Sequence, residues 1–215
     1  MKIYQYFLTS ALSVLLVGGG FEQVRHGRSK VSTAAKAAAP SPQVQSADAA
    51  AIQAIARFAE PNAHHQQLLG FVGSWEIISR VWMSPGQAPV ETKGSAEKHM
   101  VLGGRFLQEN FTGTMMATPF VGQGLTGYDN AKKRYVSIWV DTLSTAVLCS
   151  EGTMAADDKQ LVLTGSGFDP ATGQDKSFLQ VIHIDSNQSH SFEWFEPGAD
   201  GKETKLFEVI YTRKN

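Results

Sequence analysis

The sequence predicts an all-β protein: an antiparallel up-and-down barrel of about ten strands, preceded by a short helix and a disordered N-terminal tether. Three observations carry this prediction. From Phe71 onward apolar residues recur with a period of two instead of 3.6. Turn-forming pairs such as Pro85-Gly86, Gly103-Gly104, Asp129-Asn130 and Asp157-Asp158 break that period at short, regular intervals. Finally, Gly73-Ser74-Trp75 opens the first strand and Arg213 closes the last. An indole placed there floors a barrel, and a guanidinium can lie over its face while bonding nearby carbonyls. About ten strands in an open sheet would expose two edges; closing the sheet removes both and leaves room for a small ligand.

Residues 1–21 read as a signal peptide or an N-terminal membrane anchor. Lys2 precedes the apolar run 3–17, which as a helix would span about 23 Å against roughly 30 Å of bilayer hydrocarbon. That shortness favours a cleaved signal. The weak small-residue site near Val17-Gly18-Gly19-Gly20, and the positive charges Arg25, Arg28, Lys30 and Lys36 that follow, favour tethering through residues 3–21. Export to the periplasm or the medium is the main expectation and tethering the alternative. Residues 22–47 are Ala, Ser, Gln, Pro and basic side chains, too poor in large apolar groups to offset their ordering entropy, so a disordered linker is expected. Residues 48–70 suggest short helices: an Ala-rich one with Ile52, Ile55, Ala56 and Phe58 on a stripe, then a second over 64–69 that could lid or plug the barrel.

Residues 71–215 form the barrel domain. Trp75, Ile77, Ser79, Val81 and Met83 share one face of the first strand. A hairpin of 95–102 and 105–114 turns tightly at Gly103-Gly104, followed by strands over 119–128, 133–142, 146–154, 160–169, 176–185, 190–196 and 203–213. No helix-length apolar pattern interrupts them, which argues against an α/β fold.

Net charge is −1 for the 215 residues, but 61–215 holds 13 basic and 17 acidic residues, a net of −4. Nucleic acid is therefore not an expected partner, since binding it needs a basic face. Cys149 is the one cysteine, which excludes an intramolecular disulfide and a cysteine-based zinc site.

The motifs His65-x-x-Leu68, Gly73-Ser74-Trp75-Glu76, Leu102-Gly103-Gly104-Arg105-Phe106, Gly127-Tyr128-Asp129-Asn130, Trp139-x-Asp141 and Tyr211-x-Arg213 together resemble the bacterial family catalogued as domain of unknown function 1579. The resemblance covers about residues 63–214 and implies a lipocalin-related, calycin-like barrel. It implies no chemistry.

Gly73, Trp75 and Arg213 are expected to close the barrel structurally. On 133–142, Val136, Ile138 and Val140 read as plain core, while Tyr135, Ser137, Trp139 and Asp141 form a second face suited to a ligand pocket with a polar tip. The competing reading puts those aromatics on the barrel exterior. A buried Asp141 would need a partner, with Arg105 or His99 as candidates. His183 alternates with Leu179 and Val181 and so could face inward, even toward a haem iron; a satisfied or partly exposed histidine is the reading preferred here. Gly-Gln-Gly-Leu-Thr-Gly at 122–127 lacks the following helix that a dinucleotide site needs. No nucleophile elbow or metal-ligand spacing occurs, and Met115-Met116 reads as an exposed turn.

The cavity candidates are thus Tyr135, Trp139, Asp141, Arg105, His99 and His183, with no catalytic residue, metal or cofactor assigned. The functional expectation is an exported barrel holding a small apolar or amphipathic ligand. The alternatives are an enzyme using a carboxylate–His pair such as Asp141 with His99 or His183, and a cavity-free interaction domain.

Overall fold

The computed structural model describes residues 42–84, 86–169, 172–198 and 201–214. The expected signal or anchor, and the linker up to residue 41, lie outside the described residues. The chain divides into two units, with α1 (Pro42–Ala59) in one and everything from Glu60 onward in the other. α1 has proline at its first position, where no hydrogen-bonded N–H is lost, and an Ala- and Gln-rich sequence of high helix propensity. It therefore begins within the stretch read from composition as linker. Its apolar residues Ile52, Ile55 and Phe58 are exposed. Among the described residues no helix is long and apolar enough to cross a membrane.

The barrel follows from period-two alternation. β1 (Gly73–Val81), β2 (Val90–Val101), β3 (Phe106–Met115), β4 (Thr118–Asp129), β5 (Arg134–Asp141), β6 (Leu148–Met154), β7 (Gln160–Asp169), β8 (Gln174–Ile184), β9 (Ser189–Pro197) and β10 (Glu203–Arg213) each pair antiparallel with their sequence neighbours. β1 then pairs with β10, from Trp75 opposite Arg213 to Val81 opposite Phe207, and closes the ring. The order is the meander expected from the turns.

Two turns differ from expectation. The Gly103-Gly104 loop has four residues between paired Val101 and Phe106, with Leu102, Gly103 and Gly104 at φ 51°, 68° and 82°. A run of three left-handed residues needs the extra length, and glycine supplies two of them. The tight two-residue turn is instead Met116-Ala117, at φ 48° and 63°, between paired Met115 and Thr118. Met115 is consequently buried and packs with Phe111 and Phe120; it is not an exposed rim residue.

One end of the barrel is sealed. Asn62 caps α2 (Ala63–Gln67): its Oδ1 accepts the His64 N–H at 3.0 Å, and its own N–H donates to His65 Nδ1 at 3.0 Å. A 3-10 turn, Leu68–Phe71, carries the chain into β1. His64 stacks on Tyr128 with centroids 4.1 Å apart, and Gln67 donates to Asp158 at 2.8 Å, so this segment ties together the loops at the sealed end. Leu68, Phe71, Leu107, Tyr135, Leu161 and Leu163 pack into a solid layer beneath it.

The outer wall has two characters. Across β2, β1, β10 and β9 runs a chain of ion pairs, Glu91–Arg80–Glu208–Lys205–Glu193, which a hydrogen-bond contact from Glu193 to His183 extends onto β8. On β5, by contrast, Ile138 and Val140 are 43% and 39% exposed. These residues, read from sequence as plain core, belong to the outside, and the face bearing Tyr135 and Trp139 is the inside. Alternation fixes which residues share a face, but not which face is enclosed.

Candidate functional site

Above the sealed layer the barrel is hollow. A cavity of about 640 Å³ extends from Leu68 and Phe71 to Trp82, Ser144 and Phe168 at the opposite rim. It exists because glycines take inward positions on two of the strands. Gly122 and Gly124 do so on β4, and Gly165 and Gly167 on β7, in phase with the buried Phe120 and Leu163.

Each glycine pair makes a bed for a ring. On β4 the Trp139 indole lies against the backbone: a Cβ on Gly122 would fall 2.2 Å from the ring, and one on Gly124 3.1 Å from it. Trp139 Nε1 donates to Asp141 Oδ2 at 3.0 Å, and Asp141 Oδ1 accepts the Leu143 N–H at 2.8 Å. The rotamer is thereby fixed at both ring and nitrogen. Phe120 lies beside the indole, nearly parallel (21°, 6.4 Å), and Phe111 stands edge-on to both at 83° and 80°. On β8 the Phe178 ring covers Gly165, whose added Cβ would fall 2.4 Å from it, and Trp194 stacks on Phe178 at 4.1 Å.

Between the aromatic bed and the sealed layer sits a polar cluster that sequence reasoning missed. Lys98 Nζ lies 3.0 Å from His190 Nε2, 3.4 Å from Glu109 Oε2 and 3.8 Å from the Tyr211 ring centroid. Tyr211 donates its hydroxyl to Glu109 Oε1 at 3.0 Å, and His190 stacks on Tyr211 at 4.3 Å. All four line the cavity. Burial draws the Lys98 ammonium below its usual pKa, with the Glu109 charge opposing. Burial, then the positive charges of Lys98 and Arg213, push His190 down to about 2, so it is a neutral acceptor for Lys98. Burial and the Glu109 charge hold Tyr211 well above its usual value, so it stays a donor. The signal that could have found this cluster is phase. Lys98 falls in step with Ala96, Glu109 with Leu107 and Phe111, and Tyr211 with Val209, so charged and polar groups occupy inward positions.

The closure residues come together as expected. Trp75 is fully buried and donates Nε1 to the Phe71 carbonyl at 2.9 Å. The Arg213 guanidinium lies 4.2 Å over its ring and donates to the carbonyls of Val72 (2.6 Å), Gly70 (3.0 Å) and Asn187 (2.6 Å). Gly73 has φ 139°, and a Cβ there would fall 2.2 Å from Arg213 Nη1, so the position suits glycine alone.

The cavity candidates divide. Trp139 and Asp141 line the hollow. Tyr135 faces inward but belongs to the sealed layer, donating to the His64 carbonyl at 3.2 Å and to Gln67 Oε1; burial pushes its hydroxyl up to about 12. Arg105 sits in the β2–β3 turn with its guanidinium on the Leu102 carbonyl, at the opposite end of the barrel from Asp141. His99 is exposed, flanked on β2 by the inward Lys98. His183 is on the outer wall, 2.9 Å from Glu193 and 3.3 Å from Gln160. Neither histidine reaches Asp141, and His183 points away from any group held in the barrel. Leu179 and Val181, its companions in phase, face outward too, while Phe178, Gln180 and Ile182 line the cavity. Both faces of β8 are apolar, and that misled the assignment. Among the described residues no cluster has the makings of a metal site.

The profile of the family described as Protein of unknown function (DUF1579) matches residues 60–213, from the cap of α2 through the closing arginine. The chain belongs to this family. No curated protein matches it. Among solved structures, Rv2717c from M. tuberculosis superposes with a TM-score of 0.54 at 16% identity, covering 73% of this chain and all of that one, and this likeness speaks to the fold. A redesigned β-barrel, b11L5F_LGL, gives a TM-score of 0.36 at 12% identity, covering 71% of this chain and 96% of its own. The DUF1579 chain is thus a closed ten-stranded barrel with a solid end, a hollow end and a buried polar cluster between them.

Proposed function

We propose that the DUF1579 barrel is an exported small-molecule binding module whose ligand enters from the rim of Trp82, Ser144 and Phe168. The observation that carries this reading is the cavity: about 640 Å³, mostly apolar in lining, with a few convergent polar groups at its inner end. Pockets of that size, apolar with sparse polar markers, are the usual form of a small-ligand site. Trp139 and Asp141 shape its wall, and the cluster around Lys98 and Glu109 marks its depth. Export rests on the apolar run after Lys2 and is tested by finding the tagged chain in the periplasm or the medium instead of the cytoplasm.

Native mass spectrometry of the gently purified full chain tests the binding reading. A co-purified small molecule, or one-to-one uptake of an apolar fluorescent dye that is lost on Gly122→Phe, supports it. A chain that takes up neither contradicts it, as does dye binding indifferent to that wall substitution.

A further inference from the structure

The two ring beds inside the barrel differ in one respect, and that difference identifies the ligand's class. Phe178, on Gly165, already carries the Trp194 ring at 4.1 Å and 25°, a stacked pair complete within the protein. Trp139, on Gly122 and Gly124, is backed by glycine on one side and lines the cavity on the other. Its ring neighbours are Phe120, set alongside at 6.4 Å, and Phe111, edge-on at 6.1 Å. Asp141 holds Nε1 and uses up the indole's only donor. A rigid flat surface with a perpendicular wall beside it accepts a flat ring, stacked on one face and met edge-on at its rim. A flexible acyl chain gains little from such a surface and loses rotamer freedom on binding.

The polar end of that ring is set by Glu109. In register Lys98 faces Glu109, Glu109 faces Gly124 and Gly124 faces Trp139, so carboxylate and indole flank one glycine. A Cβ on Gly124 would lie 3.7 Å from the Glu109 Cβ and 3.1 Å from the indole. Glu109 is the more accessible partner of its ion pair, its side chain 17% exposed against 6% for Lys98. Lys98 Nζ and the Tyr211 hydroxyl both point at the carboxylate, whose remaining lone pairs can accept a hydrogen bond from a ligand. Lys98 is meanwhile engaged by Glu109, His190 and the Tyr211 ring, and Lys176, the other lysine lining the hollow among the described residues, is paired with Glu196, so an anionic head would have to displace an existing partner.

We infer that the cavity selects a flat, uncharged aromatic molecule bearing an O–H or N–H donor, stacked on Trp139 with its donor on Glu109. This deepens the binding reading and rests on it. Isothermal titration of the full chain with three naphthalene probes and a fatty acid tests it. 2-Naphthol should bind roughly ten-fold or more tighter than 2-methoxynaphthalene, which lacks the donor, than 2-naphthoate, which is anionic, and than decanoate. Glu109→Gln should weaken 2-naphthol and strengthen 2-naphthoate, because a like charge is removed. Trp139→Leu, which leaves the polar cluster intact, should weaken 2-naphthol more than decanoate. Equal or tighter binding of 2-naphthoate, 2-methoxynaphthalene or decanoate overturns the aromatic-donor assignment and leaves the binding module standing. A chain that takes up none of the four overturns both.

Discussion

The two ends of the barrel use the same alternation and reach opposite results. At the sealed end bulky side chains fill the interior even where Gly152 takes an inward position in register with Tyr135 and Leu163. Trp75, Tyr135, Leu161 and Leu163 are at 0–1% exposure, and the polar atoms bond one another or backbone carbonyls. At the open end, glycines at 122, 124, 165 and 167 thin the wall, and rings fold onto the thinned places instead of meeting at the axis. The difference teaches that hollowness here comes from where inward glycines fall. Strand number permits a cavity; residue volume decides which half has one.

The largest test of this contrast compares two tryptophans. Trp75→Ala should cost about 3–5 kcal/mol, because a fully packed indole and the Arg213 contacts are lost together. Trp139→Ala borders space already empty and should cost less than half as much. Chemical denaturation of both variants measures this, and equal losses would break the distinction between solid and hollow ends.

Next comes acidification. His190 has a folded pKa lowered to about 2 from 6.5. Below the unfolded value the unfolded chain takes up a proton that the folded chain refuses, so stability falls as pH falls from about 6.5. The slope is about 1.4 kcal/mol per pH unit, or roughly 2–3 kcal/mol between pH 6.5 and 4.5. His190→Gln should remove most of that slope in melts collected across the interval. Lys98 and Arg213 are the charges that, with burial, oppose protonation of the ring.

Adding volume sharpens the contrast from the hollow side. Gly122→Ala puts a methyl where the indole lies and should cost about 1–3 kcal/mol by forcing Trp139 off its bed. Its tryptophan emission should shift as the ring moves into the cavity. The smallest effect is that of Asp141→Asn, about 1 kcal/mol, through the weakened bonds from Trp139 Nε1 and the Leu143 N–H. Its melting temperature should barely change while dye uptake weakens, since the bed loosens and the fold stays.

Much of the fold was legible in the sequence because turns and alternation are local. The strands over 160–169 and 203–213 match the structure to the residue. The meeting of Trp75 with Arg213 followed from a motif at each end of the chain. The pocket face of β5 was legible as a pair of alternatives, and enclosure chose between them. The cluster of Lys98, Glu109, His190 and Tyr211 was not legible. Lys98 and His190 are 92 residues apart, brought together only when β1 pairs with β10 and carries β9 round to the same side. Arg105 and His99 lie close to this cluster in sequence, but a turn and an outward phase keep them out of the hollow. Loop length was misjudged at Gly103-Gly104 because Leu102 also adopts a left-handed conformation, which composition gave no reason to expect.

The claim that the upper half of the barrel is an aromatic receptacle is tested most directly by a crystal of the full chain soaked in 6-bromo-2-naphthol. Bromine gives an anomalous signal that locates the ring without interpretation of weak density. The account predicts one strong peak inside the barrel, with the naphthalene plane against Trp139 and its hydroxyl on Glu109. A peak only on the outer wall near Ile138 and Val140, or an interior filled solid with side chains, would contradict it.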